Sequence, residues 1–443
     1  MDLETKIFSI FYLLSKYRFN NWSKTNIKKY QNIKRNQIVK YAKTHSKFFK
    51  SYYNNIENFY SLPKENKKIM MDNLSDYNTI GLVKKELIDF ALEVETKRDF
   101  SKRFKNINIG MSSGTSGNKG IVITTKQEER YLKSMYMSRL TLPKEKFNVC
   151  FILRVSSPAF NFNKFGHKLT YINQLQPLNK ITNELEKISP NVLSAPPSML
   201  KLLTEEFLKG KLKIKPKLIY SYAEVLHNDI KTLIENTFNV KVFQIYQGSE
   251  GCYALSCKKG NLHINEDIVY FELLDKKGNP TPDGEPCFKL LVTDLHKKSQ
   301  PIIRYELNDI LTLSKKSCDC GSHFRVIENI QGRSNDLFWG INNKETHFIY
   351  QDYISRAIIT SSDEIEDFQA IQEDYLNITI KLVIKNKKNI KKIKQKITSK
   401  IKNIFKKYKS IEPHVKIILS KPVANINSNK LIRIICNIKN EKK

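Results

Sequence analysis

Apolar side chains recur three and four positions apart through the first hundred residues, with few glycines between them. That spacing predicts helices over about 1–105. Within it, residues 33–53 interleave Lys and Arg with Tyr and Phe, the pattern of an amphipathic packing helix. From about 106 to 310 the pattern changes. Short β-rich runs at 121–124, 148–155, 217–221 and 240–245 alternate with helical stretches at about 197–208 and 228–237. Such alternation predicts an α/β domain around a largely parallel sheet. Residues 268–330 read as strands broken by the turn signals Lys277-Gly278-Asn279-Pro280 and Pro282-Asp283-Gly284. The last hundred residues read as a smaller, separate α/β unit. Residues 377–384 alternate apolar and polar, as a strand does. Ile390, Ile393, Ile397, Ile401 and Phe405 then share one helical face, with lysines on the other, and 415–419 and 431–435 predict further strands.

Composition narrows this picture. A chain of 443 residues with 40% hydrophobic and 11% aromatic content can fill more than one core, which argues against extensive disorder. No apolar run approaches the roughly 18 residues of a membrane-spanning helix. The short apolar stretch 7–14 follows an acidic start and precedes no small-residue cleavage site, so no signal peptide is expected. Seven cysteines in a chain this long do not form a disulfide scaffold, and a reduced, cytoplasmic protein is expected. The net charge of +32 raises a rival of another class, a basic nucleic-acid-binding protein. The lysines are scattered or lie on helix faces, and no nucleic-acid module appears among them, so that partner is not expected.

The most specific chemistry lies in Met111-Ser112-Ser113-Gly114-Thr115-Ser116-Gly117-Asn118-Lys119-Gly120, just before the strand at 121–124. Glycines let backbone amides turn toward an anion, the hydroxyls add donors, and Lys119 adds charge. The spacing differs from a Walker A loop.

Ser112–Gly117 resembles the phosphate-binding loop of the adenylate-forming superfamily, which includes acyl-CoA synthetases and nonribosomal peptide adenylation domains. Further motifs follow in the same order. Tyr222-Ala223-Glu224 is similar to the Gly-Ala-Glu adenine-binding segment. Tyr246-Gln247-Gly248-Ser249-Glu250 is similar to Tyr-Gly-x-Thr-Glu, and Arg304-Tyr305-Glu306-Leu307-Asn308-Asp309 to Arg-Tyr-Arg-Thr-Gly-Asp. Gly332-Arg333-Ser334-Asn335-Asp336 resembles the Gly-Arg-x-Asp-Asp hinge, and Asn427-Ser428-Asn429-Lys430 the terminal Asn-Gly-Lys. Within the superfamily the likeness is to phenylacetate–CoA ligase and to adenylate-forming enzymes related to coenzyme F synthetase. It rests on 262–267, on Gln300-Pro301-Ile302-Ile303-Arg304-Tyr305 and on Cys318-Asp319-Cys320-Gly321.

The resemblance implies a large layered α/β domain over 1–334 and a small mobile α/β lid domain over 336–443, hinged near Asn335. It implies an ATP-dependent ligase that activates a small carboxylic acid as acyl-AMP, expels pyrophosphate and passes the acyl group to a thiol such as coenzyme A. Transfer of AMP to a phenol-like hydroxyl is the alternative. Ser112, Ser113, Gly114, Thr115, Ser116 and Gly117, with Lys119, would hold the phosphates. Glu250 would take part in catalysis by ligating magnesium. Tyr246 would stack on adenine, with Ala223, Glu224, Gln247, Gly248 and Ser249 around the nucleotide. Asp309 would hold the ribose hydroxyls, Arg333 would lie near ribose and phosphate, and Lys430 would be catalytic. Phe160, Phe162, Phe165 and His167, within 154–171, would permit an aromatic acid. Glu306, Leu307, Asn335 and Asn429 depart from the family pattern, which bears on the transfer to coenzyme A.

The cysteines suggest one more site. Cys318 and Cys320 form a tight pair before Gly321, and Cys257 and His263 form a second pair broken by Gly260. Together they offer four donors suited to tetrahedral structural zinc. Cys252 competes as the fourth ligand, buried free thiols are the alternative to a metal, and the resemblance supports the first four positions.

Overall fold

The computed structural model describes residues 3–111, 120–153, 156, 162–164, 166–174, 176–226, 228–275, 277–307, 309–332, 337–342, 346–362, 364–386, 389–423 and 434–438. The chain divides between Gln331 and Gly332 into two compact units.

The larger unit opens with helices α1 (Leu3–Asn21), α2 (Lys24–His45), α3 (Lys47–Tyr52), α4 (Lys67–Asp72), α5 (Leu74–Tyr77) and α6 (Lys84–Lys97). The buried face of α2 keeps the three- and four-residue spacing but mixes apolar and polar residues: Ile27, Gln31, Arg35, Ile38 and Ala42. Strands β1 (Asn108–Met111) and β2 (Ile121–Thr124) pair antiparallel, with Met111 opposite Ile121. Helix α7 (Lys126–Arg139) follows, started by a capping box in which Thr125 and Glu128 satisfy each other's backbone N–H.

Next come β3 (Asn148–Leu153), β4 (Phe162–Lys164), β5 (His167–Asn173), α8 (Leu178–Ile188), β6 (Val192–Ala195), α9 (Pro197–Leu208), β7 (Leu218–Tyr222), α10 (Asn228–Phe238), β8 (Val242–Gln247), β9 (Cys252–Ser256) and β10 (Leu262–Ile264). The remaining strands of this unit are β11 (Val269–Leu274), β12 (Lys289–Asp294), β13 (Tyr305–Leu307), β14 (Ile310–Leu313) and β15 (Val326–Gly332). Among the described residues the main sheet runs β14-β15-β10-β9-β8-β7-β6-β3-β5-β4. Its centre, β5-β3-β6-β7-β8, is parallel, as the alternation of strand and helix predicts. From β8 outward it turns antiparallel through β9, β10 and β15. Strands β11-β12-β13 form a second sheet. Every residue of β6 and β9 is buried, which accounts for their unbroken runs of small and apolar side chains.

The smaller unit contains β16 (Leu337–Ile341), β17 (Thr346–Tyr350), α11 (Gln351–Ile359), β18 (Ile365–Gln372), β19 (Asn377–Ile384), α12 (Ile390–Lys407), β20 (His414–Leu419) and β21 (Ile434–Cys436). A sheet of order β20-β19-β18-β21 carries its core. Ile393, Ile397, Ile401 and Phe405 of α12 are buried in that core with Phe338, Phe368 and Leu382. The lysines of α12 therefore belong to its solvated side. Among the described residues no helix is long and apolar enough to cross a membrane.

Candidate active site

The turn between β8 and β9 is the centre of the site. Gly248 N–H donates to the Gly251 carbonyl at 2.9 Å and reverses the chain. Glu250 is only 9% exposed. Its Oε1 accepts from the Tyr305 hydroxyl at 3.1 Å, and its Oε2 from the Ser249 hydroxyl at 3.0 Å. A side chain at position 248 would place its Cβ 2.8 Å from the Tyr253 hydroxyl and 2.9 Å from Glu250 Oε2, so only glycine fits without displacing both.

Beneath the turn lies Lys297, whose Nζ donates to the Glu250 carbonyl at 3.4 Å. Burial pulls this ammonium below the usual lysine range, and Glu128, Asp294 and Glu250 oppose the shift. Asp294 shows the converse: burial raises its carboxyl, while the N–H groups of His296 and Lys297, each 2.8 Å away, lower it.

Two motifs far apart in sequence meet here. The Tyr246 hydroxyl donates to Asp309 Oδ2 at 2.7 Å across 63 residues. Adjacent strand residues point to opposite faces of the sheet. Gln247 accordingly turns away and accepts from the Tyr136 hydroxyl of α7 at 2.5 Å, so its side chain is engaged outside the Tyr246 face. The turn borders a cavity of about 780 Å³, also lined by Tyr136, Cys252 and Asp294, which is room for a small molecule.

Glu224 is committed to structure. Its carboxylate accepts from the N–H and hydroxyl of Ser198, at 3.0 and 2.7 Å, in the first turn of α9. Ala223, just before it, holds φ +67°, a left-handed conformation that costs a non-glycine residue energy. Arg304 also has a positive φ, +50°. Its guanidinium pairs with Glu272 at 3.0 Å and holds the Tyr60 and Leu62 carbonyls, so it braces the entry to β13.

Ser112, Ser113, Gly114, Thr115, Ser116, Gly117, Lys119, Phe160, Phe165, Arg333, Asn335, Asn429 and Lys430 lie outside the described residues, as does the Phe162 side chain. The frame of the phosphate loop is described, however. Gln300 donates to the Ile121 carbonyl at 2.9 Å and accepts from Ile123 N–H at 3.0 Å, fastening β2 from a segment far along the chain. His167 is engaged at the sheet edge, stacked on Phe147 at 4.1 Å and accepting its N–H at 3.2 Å. No local sequence pattern marks Tyr253, Asp294 or Lys297 as neighbours of this turn, and Gln300 is distinguished only by its place in the Gln300–Tyr305 motif.

A second constellation lies at the antiparallel end of the sheet. The donor atoms of Cys257, His263, Cys318 and Cys320 all fall within 4.8 Å of one another. The Cys257 and Cys318 sulfurs are 3.7 Å apart, and His263 Nε2 is 3.4 Å from the Cys320 sulfur. Tetrahedral zinc with ligands at roughly 2.3 Å (S) and 2.0 Å (N) requires separations of roughly 3.8 and 3.5 Å. His263 Nδ1 donates to the Phe324 carbonyl at 2.8 Å, which leaves the Nε2 lone pair for a metal. Burial lowers this imidazole's pKa and favours its neutral form. The Cys318 thiol is pulled below its ordinary value: burial opposes this, but donors including the Asn261 amide and Cys320 N–H outweigh it. Cys252 is not in the group; its sulfur accepts from Asn265 at 3.4 Å.

No family model matches the chain. Protein CapK of Staphylococcus aureus is 25% identical over 385 residues, 81% of this chain and 81% of the relative. Phenylacetate-coenzyme A ligase of Thermus thermophilus is 27% identical over 199 residues, 42% of this chain and 43% of the relative. Among solved structures, 2-hydroxyisobutyryl-CoA ligase in its postadenylation state superposes with a TM-score of 0.57 at 15% identity, covering 93% of this chain and 90% of the other. Its thioesterification-state structure gives 0.56 at 16% identity, covering 95% and 91%. These structures share the fold. The ordered motifs and these relatives make the chain similar in sequence, and the solved structures make it similar in fold, to adenylate-forming enzymes of the phenylacetate–CoA ligase-like family.

Proposed function

We propose that this enzyme joins a small carboxylic acid to AMP, releasing pyrophosphate, and then passes the acyl group to a thiol such as coenzyme A. The observation that carries the reading is the contact of Tyr246 with Asp309 at 2.7 Å, beside the buried carboxylate of Glu250. It supports the reading by bringing one aromatic ring and two carboxylates to one sheet end. The reading assigns Tyr246 to adenine and Asp309 to the ribose hydroxyls, which a carboxylate accepts well.

A hard divalent cation takes oxygen donors. Glu250 fits one, because among the described residues each carboxylate oxygen accepts one protein hydrogen bond and keeps lone-pair capacity. Magnesium bound there would neutralise charge on the phosphate oxygens. In the first step a carboxylate oxygen attacks the α-phosphorus and the bond to the β-phosphate oxygen breaks. In the second, the thiolate attacks the acyl carbonyl and AMP leaves. The phosphate-loop residues Ser112–Gly117 and Lys119 would hold the triphosphate. Lys430 would bring its ammonium to the acid and the α-phosphate as charge builds. These two roles, and that of Arg333 beside the ribose, rest on the motifs. The Cys257, His263, Cys318 and Cys320 group would hold a closed structural zinc, supported by two donor separations, 3.7 and 3.4 Å, close to tetrahedral values.

The test is ATP–pyrophosphate exchange across a panel of carboxylic acids, followed by thioester formation with coenzyme A. Exchange that depends on one acid class, then its thioester, is the expected result. AMP transfer to a phenolic hydroxyl with no acid-dependent exchange would replace this reading.

A further inference from the structure

Tyr253 of β9 is 2% exposed, and its hydroxyl has no hydrogen-bond partner among the described residues. Buried tyrosine hydroxyls nearby are satisfied: Tyr222 donates to the Ile152 carbonyl, Tyr220 to the Thr141 carbonyl, and Tyr305 to Glu250. An unpaired buried hydroxyl destabilises the fold, and phenylalanine would fill the same space without that cost. The position of this hydroxyl is informative. It borders the vacant side-chain volume of Gly248, 2.8 Å from where a Cβ would stand, and Glu250 Oε2 lines the same point at 2.9 Å. Asp294 Oδ2 and the Tyr253 ring lie together beside Gly251, each 3.6 Å from where its Cβ would stand.

We propose that Tyr253 is a further nucleotide-binding residue, its hydroxyl bonding the hydrated magnesium–triphosphate that Glu250 receives. A neutral phenol among carboxylates can accept from a metal-bound water and donate onward to a phosphate oxygen. An acidic group in that place would repel the phosphate, and a phenylalanine would offer it nothing. The inference rests on the reading of Glu250 as the magnesium carboxylate.

The experiment compares the full-length protein with its Tyr253→Phe and Glu250→Gln variants. Thermal melting is followed without ligand, and ATP binding is measured by calorimetry with and without magnesium. Tyr253→Phe should melt at or above the wild-type temperature. Its affinity for magnesium–ATP should fall by about tenfold, the scale of one hydrogen bond to a charged group, with little change for ATP alone. Equal loss with and without magnesium, together with a lower melting temperature, would make Tyr253 merely structural. Wild-type magnesium–ATP affinity in Tyr253→Phe, with a loss in Glu250→Gln, would overturn the role of Tyr253 alone. Wild-type affinity in both variants would remove Glu250 from the magnesium site as well.

Discussion

The turn at Gly248–Gly251 and the Cys257/His263/Cys318/Cys320 group are built on opposite principles. At the turn, hard oxygen donors have protein partners at ordinary hydrogen-bond distances: Tyr305 and Ser249 on Glu250, Tyr246 on Asp309. Glu250 and Asp309 are held by these bonds without a metal, while the buried Tyr253 hydroxyl beside them has no partner among the described residues. In the Cys/His group three thiols, weak hydrogen-bonding groups, and an imidazole anchored to the Phe324 carbonyl face one another, an arrangement that the proposed zinc would hold together. On the proposed reading the same chain holds a preorganised reactive site and a zinc staple. The staple ties the β9–β10 turn to the segment before β15, 61 residues away between Cys257 and Cys318.

Substitutions can separate the two regions. Lys430→Ala should lower AMP-ester formation on the order of 10²–10³-fold, the scale of a lost transition-state charge stabiliser. It should leave ATP affinity and metal content close to wild-type values, since its charge matters chiefly as the transition state forms. Unchanged ATP–pyrophosphate exchange with a verified acid would remove it from the mechanism. The paired variant Cys318→Ser/Cys320→Ser should lose about one zinc per chain and roughly 3 kcal/mol or more of stability, a melting shift of roughly 4–5 °C or more in a unit of this size. Metal analysis of protein purified without chelator checks this, and metal-free protein of full stability would rule the staple out.

Asp309→Ala should weaken ATP binding by roughly 1.5–3 kcal/mol while leaving zinc content unchanged, which distinguishes the reactive site from the staple. Calorimetry showing wild-type affinity would refute the ribose role. A weaker effect concerns Glu65, which exchanges backbone hydrogen bonds with the Arg304–Glu306 segment under the site. Burial pushes its carboxyl up to about 8, against the opposing hydrogen bonds of Tyr53 and Tyr77. A raised folded value means the native state holds the proton more tightly. That stability is complete below the unfolded carboxylate range and fades as pH rises through about 8. Melting temperature should therefore fall between about pH 5 and pH 8, and Glu65→Gln should flatten the slope. An unaltered slope in that variant would place the titration elsewhere.

Much of this architecture is legible in the amino-acid sequence. The apolar spacing of Ile393, Ile397, Ile401 and Phe405 becomes the buried face of α12, because helical periodicity is a local property of three to four residues. The strand–helix alternation of 148–245 becomes the parallel centre of the sheet for the same reason, with strand limits displaced by one or two residues. The motif order, taken alone, points to the chemistry of Tyr246, Glu250 and Asp309. Side-chain direction and partnership are not legible there. That Gln247 faces Tyr136, that Glu224 caps α9, and that Gln300 clasps β2 depend on which elements neighbour one another. The gathering of Cys257 and His263 with Cys318 and Cys320, and the unpaired hydroxyl of Tyr253 at Gly248, likewise require the packed chain. Contiguous patterns suffice for the elements, the mixed α/β fold and the resemblance to adenylate-forming enzymes. Which polar groups the fold satisfies, and which remain for a ligand, is settled by packing alone, because hydrogen bonding and burial join residues tens to hundreds of positions apart.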